Sequence, residues 1–175
     1  MKNQPMLGQA ELRVMLVSLL VAAWNVQLAK ADPGTEQFDL QMRPILDNYL
    51  QIGDALAADS MDEVNRNAES IAKLAKSLDP TKASGEHASH YEHVPAKLKA
   101  AAQTLAKSKT LEETRAAYKK LSMPMGMWAG MSKPEGIDVV YCPMAKARWV
   151  QRKGAIRNPY HGSEMLRCGQ VVKAD

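Results

Sequence analysis

Between residues 40 and 128, apolar positions return every three or four residues, the spacing of one face of a helix. Leu40, Ile45, Leu46, Tyr49, Leu50, Ile52, Leu56 and Ala57 form the first such stripe. Pro44 fits a first turn, where its missing N–H is not needed. Asp59-Ser60 then ends this helix and starts the next, with Ser60 and Glu63 spaced as a capping box. Val64, Ala68, Ile71, Ala72, Leu74, Ala75 and Leu78 give the second stripe, and Asp79-Pro80 stops it. Residues 81–95 read as a polar connection. Leu98, Ala101, Ala102, Leu105 and Ala106 place a third helix over 96–107. Thr110 and Glu113 form a second capping box, opening a fourth helix with Leu111, Tyr118, Leu121, Met125 and Trp128 on one face. Pro124 and Gly126 are expected to kink that helix or end it early.

The pattern changes after Pro134. Ile137, Val139, Val140 and Tyr141 suit a short strand, Trp149-Val150 a second and Met165 to Val172 a third. Between them, Asn158-Pro159-Tyr160-His161-Gly162 has the composition of a turn. The expected fold is mainly α: an up-down bundle of about four helices with a small irregular or β C-terminal cap.

Ahead of the bundle, Lys2 and Arg13 precede an apolar run from Val14 to Ala23, and Ala29-Lys30-Ala31 offers a small-x-small cleavage site. This is the layout of a secretory signal peptide over residues 1–31. Its core is shorter than the roughly 20 apolar residues of a membrane span. Cleavage after Ala31 leaves one exported helical domain, residues 32–175, with no stable membrane span. The leader holds Lys2, Arg13 and Lys30 against Glu11, a net +2, so only about +2 of the chain's +4 belongs to the domain. A nearly neutral exported domain is a poor nucleic-acid partner, and Lys146, Arg148, Arg152, Lys153, Arg157 and Arg167 read as a solvated face, with docking to an acidic partner or to anionic lipid head groups as the alternative.

Candidate chemistry lies in soft donors. Both cysteines fall in the cap, Cys142 with Met144 close by and Cys168 with Met165, and His161 lies between them. Thiolate and thioether select Cu(I) or Ag(I) over hard cations. In an oxidising compartment the same cysteines can close a disulfide instead, spanning about 25 residues and worth roughly 3–4 kcal/mol. Two weaker constellations accompany them. Met123, Met127 and Met131 are spaced i, i+4, i+8 beside Trp128, either as a core stripe or as a thioether site with the indole over the cation. His87, His90 and His93, with Glu86 and Glu92, are either a solvated loop or a Zn(II), Cu(II) or Ni(II) site. No glycine-rich phosphate loop, nucleophile elbow or histidine motif with a placed base is present, so the chain is not read as an enzyme.

Three ordered blocks carry a resemblance: Tyr141-Cys142-Pro143-Met144, then Ile156-Arg157-Asn158-Pro159-Tyr160-x-Gly162, then Met165-Leu166-x-Cys168-Gly169. Together they resemble an uncharacterised bacterial periplasmic domain. That domain occurs alone in small secreted proteins or appended to periplasmic adaptor subunits of copper and silver efflux pumps. The helical part is similar too, so the resemblance covers most of residues 38–172. It implies a place in metal handling, with an efflux adaptor or other periplasmic protein as partner, and no defined activity. Members often carry an aromatic where His161 stands, and a less charged, glycine-rich segment in place of Ala145-Lys146-Ala147-Arg148. His161 therefore adds a potential ligand, and Asn158, Pro159, Tyr160 and Gly162 shape the turn between the two cysteine blocks. On this reading Cys142, Met144, His161, Met165 and Cys168 bind the metal. The alternative is a structural module with a Cys142–Cys168 disulfide that binds a protein partner.

Overall fold

A computed structural model describes residues 36–85 and 88–172. The expected leader over residues 1–31 lies outside them, as do Glu86 and His87. Four longer helices carry the chain: α1 (Glu36–Ala57), α2 (Val64–Ala75), α4 (Val94–Leu105) and α5 (Leu111–Ser132). A single turn, α3 (Ala88–Tyr91), precedes α4. The cap holds β1 (Ile137–Cys142), β2 (Ala147–Arg152) and the short β3 (Gln170–Val171). These form an antiparallel sheet in the order β2-β1-β3. The fold is therefore mainly α, four helices packed together with a small three-stranded sheet. No helix among the described residues is long and apolar enough to cross a membrane.

Most positions of the stripes read from the sequence become the core, whereas Leu40 is half exposed and Leu74, Ala101, Ala106 and Leu111 are only partly buried. Tyr49, Ile52 and Leu56 of α1, Ile71 of α2, Leu98 of α4, and Tyr118, Leu121, Met125 and Trp128 of α5 are buried. Phe38 and Met42 extend the α1 stripe toward its start, and Tyr91 brings α3 into the same core. Each helix packs on its successor among the four, and α5 carries β1 and β2 on its other flank. A hydrogen-bonded chain ties bundle to cap: the Tyr49 hydroxyl meets Ser122 Oγ at 2.7 Å and accepts from the Val150 N–H at 3.2 Å.

Local expectations fail where tertiary contacts override them. Pro44 sits inside α1 rather than in its first turn. The carbonyl that thereby loses its helical partner belongs to Leu40, which is half exposed and can be hydrated. Pro124 and Gly126 likewise leave α5 unbroken to Ser132, because Pro124 is packed into the core. The Thr110 cap forms, with Thr110 Oγ1 accepting from Glu113 N–H at 3.2 Å, while Glu113 Oε2 reaches one residue past the N-cap and accepts from Lys109 N–H at 2.9 Å. The Ser60–Glu63 box does not, since Ser60 accepts from Asp62 N–H and Glu63 takes a left-handed φ of 60° at the start of α2. The third strand, expected over Met165 to Val172, is only Gln170–Val171, because Met165 ends a 3-10 turn and Leu166-Arg167 continue it as a turn.

Candidate functional site

Alternation along β1 sends Val140 and Cys142 inward, and both are fully buried. β3 pairs antiparallel with β1 through Val140–Val171 and Tyr141–Gln170, which draws the preceding residues past the end of β1. Cys168 is thereby placed against Cys142, their sulfurs 2.8 Å apart across 26 positions of sequence. The approach needs Gly169: at φ 150°, a Cβ there would stand 2.7 Å from the Trp149 ring and 2.9 Å from Val140.

Asn158 holds this crossing together. Fully buried, its Oδ1 accepts from Tyr160 N–H at 2.8 Å and His161 N–H at 3.3 Å. Its Nδ2 donates to the Cys168 carbonyl at 2.8 Å, while its own N–H donates to the Leu166 carbonyl. Tyr160 anchors the same turn to β2 by donating to the Arg148 carbonyl, with its ring edge-on to Trp149. On the bundle side, Arg115 donates to the carbonyls of Pro159 and Leu56 and to the Asp59 carboxylate, which also accepts from Ser163 N–H. Hydrogen bonds from Ser163 and then Arg115 hold the Asp59 carboxyl down at about 2.

The two thiols are not equivalent. Burial raises the Cys142 thiol, but hydrogen bonds from Cys168, the Ala145 N–H, Asn158 and the Met144 N–H outweigh it and leave it below its ordinary value. The Ala145 N–H lies 3.4 Å from Cys142 Sγ. Cys168 is raised, chiefly because it donates to Cys142. The first proton therefore leaves Cys142, whose thiolate sits in a cradle of donors.

The other soft donors read from the sequence lie at different depths, and His161 is not grouped with the two cysteines as a three-ligand cluster. Met144, at the turn after β1, is 65% exposed. Met165 is partly buried, and its carbonyl accepts the Cys168 N–H. His161 lies in the Asn158 turn with Nε2 enclosed and without a partner. Sequence reasoning found these residues and the turn. It read Asp59 only as a helix end and missed Arg115, for which an isolated arginine on α5 gives no signal.

Residues 45–133 match the family described as protein of unknown function (DUF3347). The chain belongs to that family. Neither the curated proteins nor the solved structures contain a match to it. The DUF3347 region spans most of α1 through α5, and the thiol-bearing cap follows it.

The weaker constellations are placed elsewhere. His90 lies in α3 and His93 precedes α4, both exposed, while His87 lies outside the described residues. Met123 is exposed and Met127 and Met131 are partly buried, whereas Met125 takes the core position. Trp128 is also in the core, donating from Nε1 to Asp39 at 2.8 Å. Its indole is thus committed to α1. Among the described residues, no three His, Cys, Asp or Glu side chains are grouped to hold a metal ion. The six basic residues of the cap and its turn are all exposed, in line with a solvated face.

Proposed function

We propose that this DUF3347 protein is an exported binding protein for Cu(I) or Ag(I), acting as buffer, chaperone or docking module for heavy-metal efflux in the periplasm. One observation carries the reading: the fold brings two distant cysteines into contact and surrounds Cys142 with donors that favour its thiolate. The thiolate is the metal-binding form of cysteine. A thiol with only a packing role has no need of such a cradle. Cys142 and Cys168 supply the thiolates, Met144 and Met165 the thioethers, and His161 an added imidazole. The donor set fits a soft monovalent ion and no hard one. The protein's part is binding, not catalysis.

A second reading rests on the sulfur separation. At 2.8 Å the sulfurs are closer than two thiolates sharing one ion, which at metal–sulfur distances of about 2.3 Å stand more than about 3.5 Å apart. Closure to a disulfide of about 2.05 Å needs less movement. In that case the cap is a bridged structural element, and function lies in binding a protein partner.

Anaerobic Cu(I) titration of the reduced protein against a competing chelator separates the two, run beside Cys142→Ser/Cys168→Ser. Stoichiometric binding lost in the double variant supports the metal site. Equal, weak binding by both proteins sinks it, and a count of no free thiols in native protein then establishes the bridge.

A further inference from the structure

Helix α5 presents Met123 to solvent at 72% exposure, the most exposed large apolar side chain among the described residues. Two clefts flank it. One, of about 430 Å³, runs between α4 and α5 over Ala100, Ala101 and Pro124. The other, of about 500 Å³, lies between α5 and the cap over Gly126, Tyr141 and Ala147. Met123 and Met127 line both clefts, so the two form one trough with a methionine ridge. Its rim is uniformly basic. Lys97 and Lys120 line the α4 side, and Lys119, Lys146 and Arg148 the cap side, with no Asp or Glu on either.

That frame decides the occupant. Five positive charges around the thioethers oppose a metal cation and favour an anionic partner. An apolar floor of flexible methionines between helices suits the apolar face of a helix, whose large side chains fill such clefts as anchors. We infer that this trough docks an acidic amphipathic helix of another protein: its leucine-like side chains enter the clefts beside Met123, and its flanking carboxylates meet the lysine rim. The inference goes beyond the metal reading and uses none of the same side chains.

The probes are two synthetic helices of about 18 residues, long enough to form helix in isolation. Both carry leucine at i, i+3, i+4 and i+7, one with glutamate and the other with lysine at the remaining charged positions. Binding is followed by anisotropy and by the methyl resonances of 13C-methyl methionine. The glutamate helix should bind at least about 10-fold tighter than the lysine helix, a difference that shrinks with added salt. It should shift Met123 and Met127 while leaving the core Met42 and Met125 in place. Met123→Glu and Lys120→Glu/Lys146→Glu should each weaken binding about 10-fold or more, with the circular dichroism unchanged. Equal binding of the two helices overturns the proposal, as does binding that leaves Met123 unshifted. So does a Met123 shift caused only by anionic phosphatidylserine vesicles or only by raising protein concentration, which would make the trough a lipid-facing or self-association surface. Repeating the series in Cys142→Ser/Cys168→Ser keeps the result independent of the metal site.

Discussion

Removing the Asn158 side chain is the sharpest test of how the cap is built. Asn158→Ala deletes three well-formed hydrogen bonds at once, to the N–H groups of Tyr160 and His161 and to the Cys168 carbonyl, and with them a weaker contact to Cys142. At about 1 kcal/mol net per bond this alone costs about 3 kcal/mol. Tyr160 is buried, so its N–H is left without a partner and adds about 1–2 kcal/mol. The Cys168 carbonyl and His161 N–H belong to partly exposed residues, and water recovers part of their loss. A total of about 3–5 kcal/mol follows, read as a fall of roughly 2 M in the urea midpoint for a slope near 2 kcal/mol/M. The measurement uses fully reduced protein, so that no bridge masks the effect. Because Asn158 also tethers the Cys168 segment, the variant's Cys168 should react faster with a disulfide reagent. Asn158→Asp retains the acceptor but replaces the donor to the Cys168 carbonyl with a carboxylate facing it. Its loss should equal that of alanine near pH 7 and lessen on acidification. A midpoint shift of under about 0.5 M in Asn158→Ala, with unchanged thiol reactivity, would refute the clamp.

Two further expectations concern the bundle. In Gly53→Ala the new Cβ would lie 2.6 Å from Tyr118 Oη, on a buried ring stacked 4.9 Å from Tyr49. Overpacking of about 1–3 kcal/mol opposes a helix-propensity gain of about 1, leaving a net loss of roughly 0–2 kcal/mol. Tyr118→Phe removes a hydroxyl that lacks a well-formed hydrogen bond and should recover that loss; strictly additive effects in the double variant would sink the argument. Asp59, held at about 2, contributes stability that is complete above its ordinary value near 4 and is lost as pH falls toward 2. Acid unfolding should therefore be steeper between pH 4 and 2 in the native protein than in Asp59→Asn, and parallel curves would discount the Asp59–Arg115 contact.

The helices were legible because each carries a repeated apolar stripe, and a stripe can be buried in only one way. The boundaries were legible only where local chemistry acts alone. Thr110 and Glu113 cap α5 as their spacing suggests, since nothing else engages them. Ser60 and Glu63 have the same spacing and do not cap α2. There the chain takes left-handed conformations at Asp59 and Glu63, φ 56° and 60°. That geometry places the Asp59 carboxylate against Arg115 and Ser163, contacts between residues 56 and 104 positions apart. A long-range ion pair has thus overruled a local cap, and no window of sequence contains both partners. The same applies to Met165–Val172, read as a strand from its apolar residues. Asn158 and Gly162 fold its first part into a turn, leaving only Gln170 and Val171 to pair with β1.

The candidate residues divide along the same line. The cysteines, methionines and His161 were recognisable from donor chemistry, but the contact of the two cysteines depends on β3 reaching β1 and on a clamp that reads in sequence only as a turn residue. The α5 methionines show the opposite case, since their placement follows from angles alone. With Tyr118, Leu121, Met125 and Trp128 fixing the buried face, Met123 stands about 200° around the helix from Met125 and must face outward. Core packing is therefore excluded for Met123, and Trp128, on the buried side, is excluded from covering any ligand held there. What remains for Met123 is set by its neighbours on α4 and in the cap, which are all apolar, small or basic. A thioether ringed by ammonium and guanidinium groups is poorly placed to hold a cation. The thiol pair, with peptide N–H donors around Cys142, has no such ring of charge in its hydrogen-bonded surroundings. The two proposals therefore draw on separate parts of the fold: the soft-metal reading on the thiol pair at the end of β1, and the docking reading on the outer face of α5.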